Sequence, residues 1–229
     1  DYQILAYNRT KSVLDDAVFD GIVDVPCVEK DTRFAFCDYI FLCATVDYNL
    51  ECLTWLKDVL RPGCILTDAG SVKGEVTALG LTSNFIGGHP MAGSEKTGYE
   101  YSTDHLIENA YYILTPSEDV GLDKIGAYTE LVSSIGALPM ILTWEEHDFI
   151  TVATISHLPH LIAASLVNLV KHNDSKNEYM KTMAAGGFKD ITRIASSSPH
   201  MWQQICLENP EHISKVLDEY IRQIVQAKY

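Results

Sequence analysis

Four short segments concentrate the side chains that can move protons, grip carboxylates or bind anions. Gly87-Gly88-His89-Pro90-Met91-Ala92-Gly93-Ser94 sets one histidine among glycines. An ordinary histidine titrates near pH ~6.5, so His89 can accept or share a proton near neutrality. Glycine lets backbone come close to a ligand. Asp68-Ala69-Gly70-Ser71-Val72-Lys73 ends an apolar run and can open a helix, where backbone N–H groups and the Ser71 hydroxyl suit an anion or a cofactor. Ser156-His157-Leu158-Pro159-His160 puts Ser156 and His160 four residues apart, on one face of a helix. Gly186-Gly187-Phe188-Lys189-Asp190-Ile191-Thr192-Arg193 is a glycine-led turn followed by Asp190 and Arg193, and Arg is the side chain for a planar, two-pronged grip on a carboxylate. Each segment alone also has a plainer reading: a turn with an incidental histidine, polar groups satisfying a kinked helix, a local Asp190–Arg193 ion pair. His157 and His160 are helical neighbours that could begin a zinc site, but no third or fourth ligand stands at a sensible spacing, so no metal is expected.

These residues need elements to hold them. Ile4 to Tyr7 reads as a short strand, followed by Asn8-Arg9-Thr10 and a helix to about Phe19. Tyr39 to Ala44 is a continuous apolar run, the mark of a strand buried on both faces of a parallel sheet. A helix over Asn49 to Leu60 is stopped by Arg61-Pro62-Gly63. Cys64 to Thr67, Phe85 to Gly88, Ala110 to Leu114 and Leu138 to Leu142 bring the count to at least five strands. This alternation describes an open α/β sheet, whose ligands bind outside the carboxyl ends of the strands. The polar residues there are Asn8, Thr45, Asp68 to Ser71, and His89.

From Trp144 onward the strand pattern stops. Glu146 to His172 predicts a long helix, apolar on nearly every side and kinked by Pro159, which frees the Ile155 carbonyl. The rest of the chain is too small to surround it, so a second subunit is expected to help cover it. Ser198-Pro199 and Asn209-Pro210 read as caps with a first-turn proline. The last helix puts Ile213, Val216, Leu217, Tyr220, Ile224 and Val225 on one face. The domain boundary is placed at Thr143, giving an α/β domain over 1–143 and an all-helical domain over 144–229.

Hydrophobic residues make up 47% and charged residues 21% of the 229, the balance of a globular protein. No run of about 18 uninterrupted apolar residues suggests a membrane span, and no secretory leader pattern stands at the start. A formal net charge of −14 disfavours nucleic acid as the main partner. The six cysteines, Cys27, Cys37, Cys43, Cys52, Cys64 and Cys206, form no C-x-x-C pair and are expected to be reduced, buried and cytoplasmic.

Taken together and in this order, DAGSVK, GGHPMAGSEKTG, SHLPH and GGFKDITRIASSSPHMW resemble the motifs of the prephenate dehydrogenase family. The resemblance runs from about Ile4 to Asn209. It implies a Rossmann-type dinucleotide-binding domain followed by an all-α dimerisation domain, a homodimer, and NAD or NADP as cofactor. The implied reaction is oxidative decarboxylation of prephenate to 4-hydroxyphenylpyruvate in tyrosine biosynthesis. Carried over by motif, His89 would bind the ring hydroxyl and take up its proton, with Ser71 close to both. Arg193 would hold a substrate carboxylate and His160 would lie near the pyruvyl side chain, with Ser156 and His157 beside it. Asp190 and Gly186 would shape the pocket around Arg193, and Glu95 would gate its mouth. The site would lie in the cleft between the two domains. The cofactor would meet Asn8, Arg9, Thr10, Thr45, Val46, Asp68, Gly70, Ser71 and Lys73.

The sequence departs from the family in its nucleotide motif. The G-x-G-x-x-G turn and the strand before it do not occur in the 229 residues. An open sheet without its first strand leaves strand edges unpaired, so a segment before Asp1 is expected. Asn8 followed by Arg9, where an acidic residue would grip the ribose of NAD, tilts the expectation towards NADP. No regulatory domain for an aromatic amino acid is visible. Rival readings are an arogenate dehydrogenase, a hydroxy-acid dehydrogenase with a helical dimerisation domain, and a non-catalytic binding or regulatory module.

Overall fold

The computed structural model describes residues 2–74, 83–93 and 98–229. Contacts divide the chain into two compact units, Asp1–Trp144 and Glu145–Tyr229.

The first unit is built on short strands. β1 (Leu5–Ala6) pairs in parallel with β2 (Val25–Pro26), and β3 (Tyr39–Leu42) pairs in parallel with β4 (Ile65–Asp68), Leu42 opposite Asp68. A parallel bridge between Leu66 and Phe85 brings in β5 (Ile86–Pro90). The parallel expectation fails at the next step. β6 (Tyr111–Pro116) runs antiparallel to β5, with His89 opposite Ile113, and β7 (Leu138–Ile141) then follows β6 in parallel. The consequence is geometric: the carboxyl ends of β3, β4 and β5 share one edge, and those of β6 and β7 face the opposite one.

Strand alternation distributes the core to both faces. Ile40, Leu42, Cys64, Leu66 and Phe85 pack with Leu53 and Leu56 of α2 (Val46–Leu56). Ile65, Ile86, Tyr112 and Leu114 pack with Tyr128 and Val132 of α3 (Leu122–Ser134). All four residues of β4 are buried, Thr67 and Asp68 included, as suits a strand covered on both faces. α1 (Lys11–Phe19) covers a smaller cluster through Leu14 and Ala17 against Val23. α2 starts three residues before the expected Asn49, because Thr45 already has the extended geometry of a cap. Its bonded turns run on to Leu60, whose N–H donates to the Leu56 carbonyl. β2 and α3 go beyond the expected elements. A two-residue strand containing Pro26 has no periodic signature, and Gly126 interrupts the helical pattern of α3. Cys27 and Cys64 are buried, whereas Cys43, expected inside a strand, is exposed because β3 stops at Leu42.

The second unit is helical. α4 (Trp144–Asn173) is one continuous element, but His147–His157 winds as a π-helix between α-helical turns. The Leu158 N–H donates to the Ala153 carbonyl, five residues back. The expected disturbance at Pro159 therefore takes the form of a wider helical register just before the proline. By length and composition α4 could cross a membrane, and only 29% of its most apolar window is buried within the chain. α5 (Tyr179–Met183), α6 (Gly186–Thr192), the 3₁₀ turn Arg193–Ser196, α7 (Pro199–Glu208) and α8 (Pro210–Ala227) follow. Ser198 caps α7, its hydroxyl accepting from the Met201 N–H. Asn209 stands at the N-cap of α8 with Pro210 in the first turn, as expected, but its side chain makes no capping bond. Its side-chain amide instead donates to the Asp148 carbonyl at 2.9 Å, tying α8 to the π segment. Of the apolar face of α8, Ile213 and Val216 are buried against Ala153, while Ile224 and Val225 stay half exposed.

Candidate active site

In the first unit, the candidate residues named from the sequence divide into exposed and buried groups. Asn8, Arg9 and Thr10 follow β1 and are exposed. Asn8 Oδ1 accepts from the Thr10 N–H at 2.8 Å, a tight turn that launches α1. Thr45 follows β3 and stands exposed at the N-cap of α2, with Val46 as its first helical residue. Neither threonine side chain bonds its own helix. Arg9 makes no ion pair among the described residues.

Beyond β4 the chain turns on itself. Asp68 Oδ2 accepts from the Gly70 N–H at 2.9 Å and from the Lys73 ammonium at 2.6 Å. The ammonium also donates to the Gly70 carbonyl at 2.7 Å. The two side chains are 0% and 1% exposed, Lys73 and Asp68 respectively. Both were expected to meet the cofactor, and both are buried against each other and the loop's own backbone. Ser71, at the turn of the same loop, is half-buried. His89, half-buried on β5, follows Gly88, whose N–H donates to Asp68 Oδ1 at 3.2 Å.

The paired glycines before His89 also acquire a different reason. A Cβ on Gly87 would lie 2.3 Å from Thr115 Oγ1 and 2.9 Å from Lys73 Cδ. One on Gly88 would lie 2.6 Å from the Asp68 carbonyl oxygen. The close approach these glycines allow is to the protein's own chain. Behind β4, Thr67 Oγ1 and Tyr128 OH are 2.9 Å apart and Tyr128 OH donates to Tyr112 OH at 3.2 Å. This buried chain fastens β4, β6 and α3 together. Burial pushes the Tyr112 phenol up to about 12, so it stays protonated. Glu95 and Ser94 lie outside the described residues.

In the second unit, His160 is buried on α4 and stacks on Trp202 of α7, with ring centroids 3.5 Å apart and planes 5° from parallel. His157 meets the edge of the same indole at 5.7 Å. His157 is 1% exposed, and burial pushes its pKa down to about 4, so it is neutral at pH 7. Burial lowers the pKa of His160 as well. His157, expected beside the substrate, is enclosed against the edge of Trp202. His157 Nδ1, His160 Nδ1 and Trp202 Nε1 are buried without a hydrogen-bond partner among the described residues. Trp202 escaped the sequence selection. Its signal was its place in the first turn after the Ser198-Pro199 cap, on a helix that must pack against α4.

Ser156 is half-buried on α4. Gly186 opens α6, Asp190 lies within it, and Arg193 starts the next turn, all exposed. A Cβ on Gly186 would meet open space. The Asp190–Arg193 ion pair of the plainer reading does not form among the described residues, so the Arg193 guanidinium stands exposed and uncommitted. No group of three His, Cys, Asp or Glu that could hold a metal ion occurs among the described residues.

Residues 1–140 match the family model "Prephenate dehydrogenase, nucleotide-binding domain", and residues 143–229 match "Prephenate dehydrogenase, dimerization domain". The chain is 44% identical over 183 residues to a prephenate dehydrogenase of Bacillus subtilis, an alignment covering 76% of this chain and 49% of that protein. It is 35% identical over 240 residues to the prephenate dehydrogenase of Lactococcus lactis, covering 99% of this chain and 65% of that one. It thus spans roughly half to two-thirds of the length of these relatives. The crystal structure of prephenate dehydrogenase from A. aeolicus, in complex with hydroxyphenyl propionate and NAD+, superposes with a TM-score of 0.89 at 32% identity, covering 100% of this chain and 81% of that one. With both domain models matched along the chain and a full-length structural likeness, this chain belongs to the prephenate dehydrogenase family.

Proposed function

We propose that the protein oxidatively decarboxylates prephenate to 4-hydroxyphenylpyruvate with hydride transfer to a nicotinamide cofactor. The observation that carries the reading is the full-chain likeness to a relative whose complex holds a hydroxyphenyl acid and NAD+. That ligand has a ring oxygen and a side-chain carboxylate, the two groups that His89 and Arg193 suit chemically. The nicotinamide, when bound, supplies the hydride acceptor. Loss of the ring carboxylate as CO₂ makes the ring aromatic, which is the driving force. The protein's task is therefore orientation and charge stabilisation.

His89 accepts the proton of the ring hydroxyl as that carbon becomes a carbonyl, and Ser71 hydrogen-bonds the same oxygen. Arg193 grips a carboxylate with its exposed guanidinium, and Asp190 and Gly186 border it. His160, kept neutral by burial, and Ser156 face the side chain of the substrate, while His157 holds Trp202 in place. Glu95 gates the site. Asn8, Arg9, Thr10, Thr45 and Val46 hold the dinucleotide at helix starts, with Gly70 beside it. The uncommitted Arg9 favours the 2′-phosphate of NADP over the bare ribose of NAD. The protein acts as a cytoplasmic homodimer, the partner subunit covering the apolar surface of α4, of which so little is buried within the chain.

Absorbance assays with prephenate or arogenate, and NAD⁺ or NADP⁺, test this reading on the full native protein. Turnover of prephenate, faster with NADP⁺, is expected. Turnover of arogenate alone would move the assignment to that substrate, and no turnover with either would remove it.

A further inference from the structure

Little backbone joins β4 to β5 at the edge where Ser71 and His89 lie. Among the described residues the ladder is the bridge between Leu66 and Phe85. Farther along, the link is a side chain, the Asp68 carboxylate accepting from the Gly88 N–H. The same carboxylate closes the loop 68–73 by accepting from the Gly70 N–H and from Lys73, and Lys73 donates in turn to the Gly70 carbonyl. One buried ion pair thus fastens the turn that bears Ser71 to the residue preceding His89. Gly87 and Gly88 leave the space this arrangement needs, since a Cβ on either would strike Lys73, Thr115 or the Asp68 carbonyl.

Stability alone is a weak reason for such a pair. Desolvating two charges roughly cancels their attraction, and an apolar pair of the same shape often does as well. What an apolar pair lacks is directed bonds to backbone groups of two separate segments. We propose that Asp68 and Lys73 are positioning residues that set the Ser71–His89 geometry without touching substrate or cofactor. The proposal rests on the dehydrogenase reading above.

The test compares wild type, Asp68→Asn, Lys73→Gln and the double variant in the full native protein. The double variant keeps a hydrogen-bonded side-chain pair of nearly the same shape without charge, but its single amide oxygen can accept from the Gly70 or the Gly88 N–H and not from both. Hydrogen exchange of residues 68–73 and 86–90, kcat, KM for prephenate and the melting temperature are measured on folded protein. Each single variant should exchange about tenfold faster in both segments. Its kcat should fall about 10–100-fold, the scale of a misplaced reacting group, with KM within about 3-fold. The double variant should recover the protection of one segment at most and only part of kcat. Unchanged exchange at 86–90 in the single variants would overturn the proposal. So would a KM rise at constant kcat, which would mark direct ligand contact. If the single variants do not fold, a folded double variant decides: faster exchange in one of the two segments with a lowered kcat supports the proposal, and protection kept in both segments, or lost protection with normal kcat, overturns it. A wild type inactive on prephenate would remove the dehydrogenase reading, while the exchange comparison still decides whether the pair positions the two segments.

Discussion

The imidazole of His160 lies flat on the indole of Trp202, 3.5 Å between centroids and 5° from parallel, and His157 closes the edge of that indole. A histidine expected from a motif is thereby oriented by an aromatic residue from a different helix. Replacing Trp202 with Ala should cost about 3 kcal/mol of stability, the low end for a large-to-small change in a packed aromatic site. It should also raise KM for prephenate more than it lowers kcat, because His160 loses its support. Trp202→Phe, which keeps a stacking face, should recover most of both. Chemical denaturation and steady-state kinetics on the two variants check this.

His157 gives the second unit a defined acid sensitivity. Its pKa is pushed down to about 4 by burial, from an unfolded value near ~6.5. Above the unfolded value neither state binds the proton and His157 contributes nothing to pH dependence. As pH falls from ~6.5 towards 4 the unfolded chain takes up the proton first, so stability declines, by about 3 kcal/mol at the end of that window. His157→Leu should flatten this part of the curve, as read from unfolding free energies between pH 7 and pH 4.

The glycines before His89 should tolerate no side chain. Gly87→Ala and Gly88→Ala each force a Cβ into Thr115, Lys73 or the Asp68 carbonyl. Overpacking of this kind costs about 1–3 kcal/mol, and the melting temperature should fall accordingly. Gly186→Ala, where a Cβ meets open space, should leave it nearly unchanged.

Much of the first unit was legible in the sequence because its signals are local. The Pro62-Gly63 stop, the unbroken apolar run that holds β3, and the polar residues at strand ends are read directly. The direction of β6 was not, since the same apolar run serves a parallel or an antiparallel neighbour. The π register of His147–His157 was not, because Pro159 announces a disturbance without saying which kind. In the candidate site, the residue types were legible and their exposure was not. Nothing in the sequence announces that Lys73 is enclosed with Asp68, or that His157 meets the edge of Trp202 while His160 lies on its face.

Arg9 should decide between the two dinucleotides. It is exposed, without an ion pair among the described residues, in the turn that starts α1. Arg9→Ala should raise KM for NADP⁺ about 10-fold or more while leaving that for NAD⁺ within about 3-fold, the loss expected for one charge-assisted phosphate contact.

The central claim is that His89 takes the proton of the ring hydroxyl. The most direct measurement is kcat of His89→Asn with prephenate and the preferred dinucleotide, alongside the dissociation constant of a hydroxyphenyl carboxylate. A fall in kcat of about 10²–10⁴-fold with ligand binding nearly retained is the predicted result, the scale of a lost acid–base partner. Normal turnover by the folded variant would contradict it.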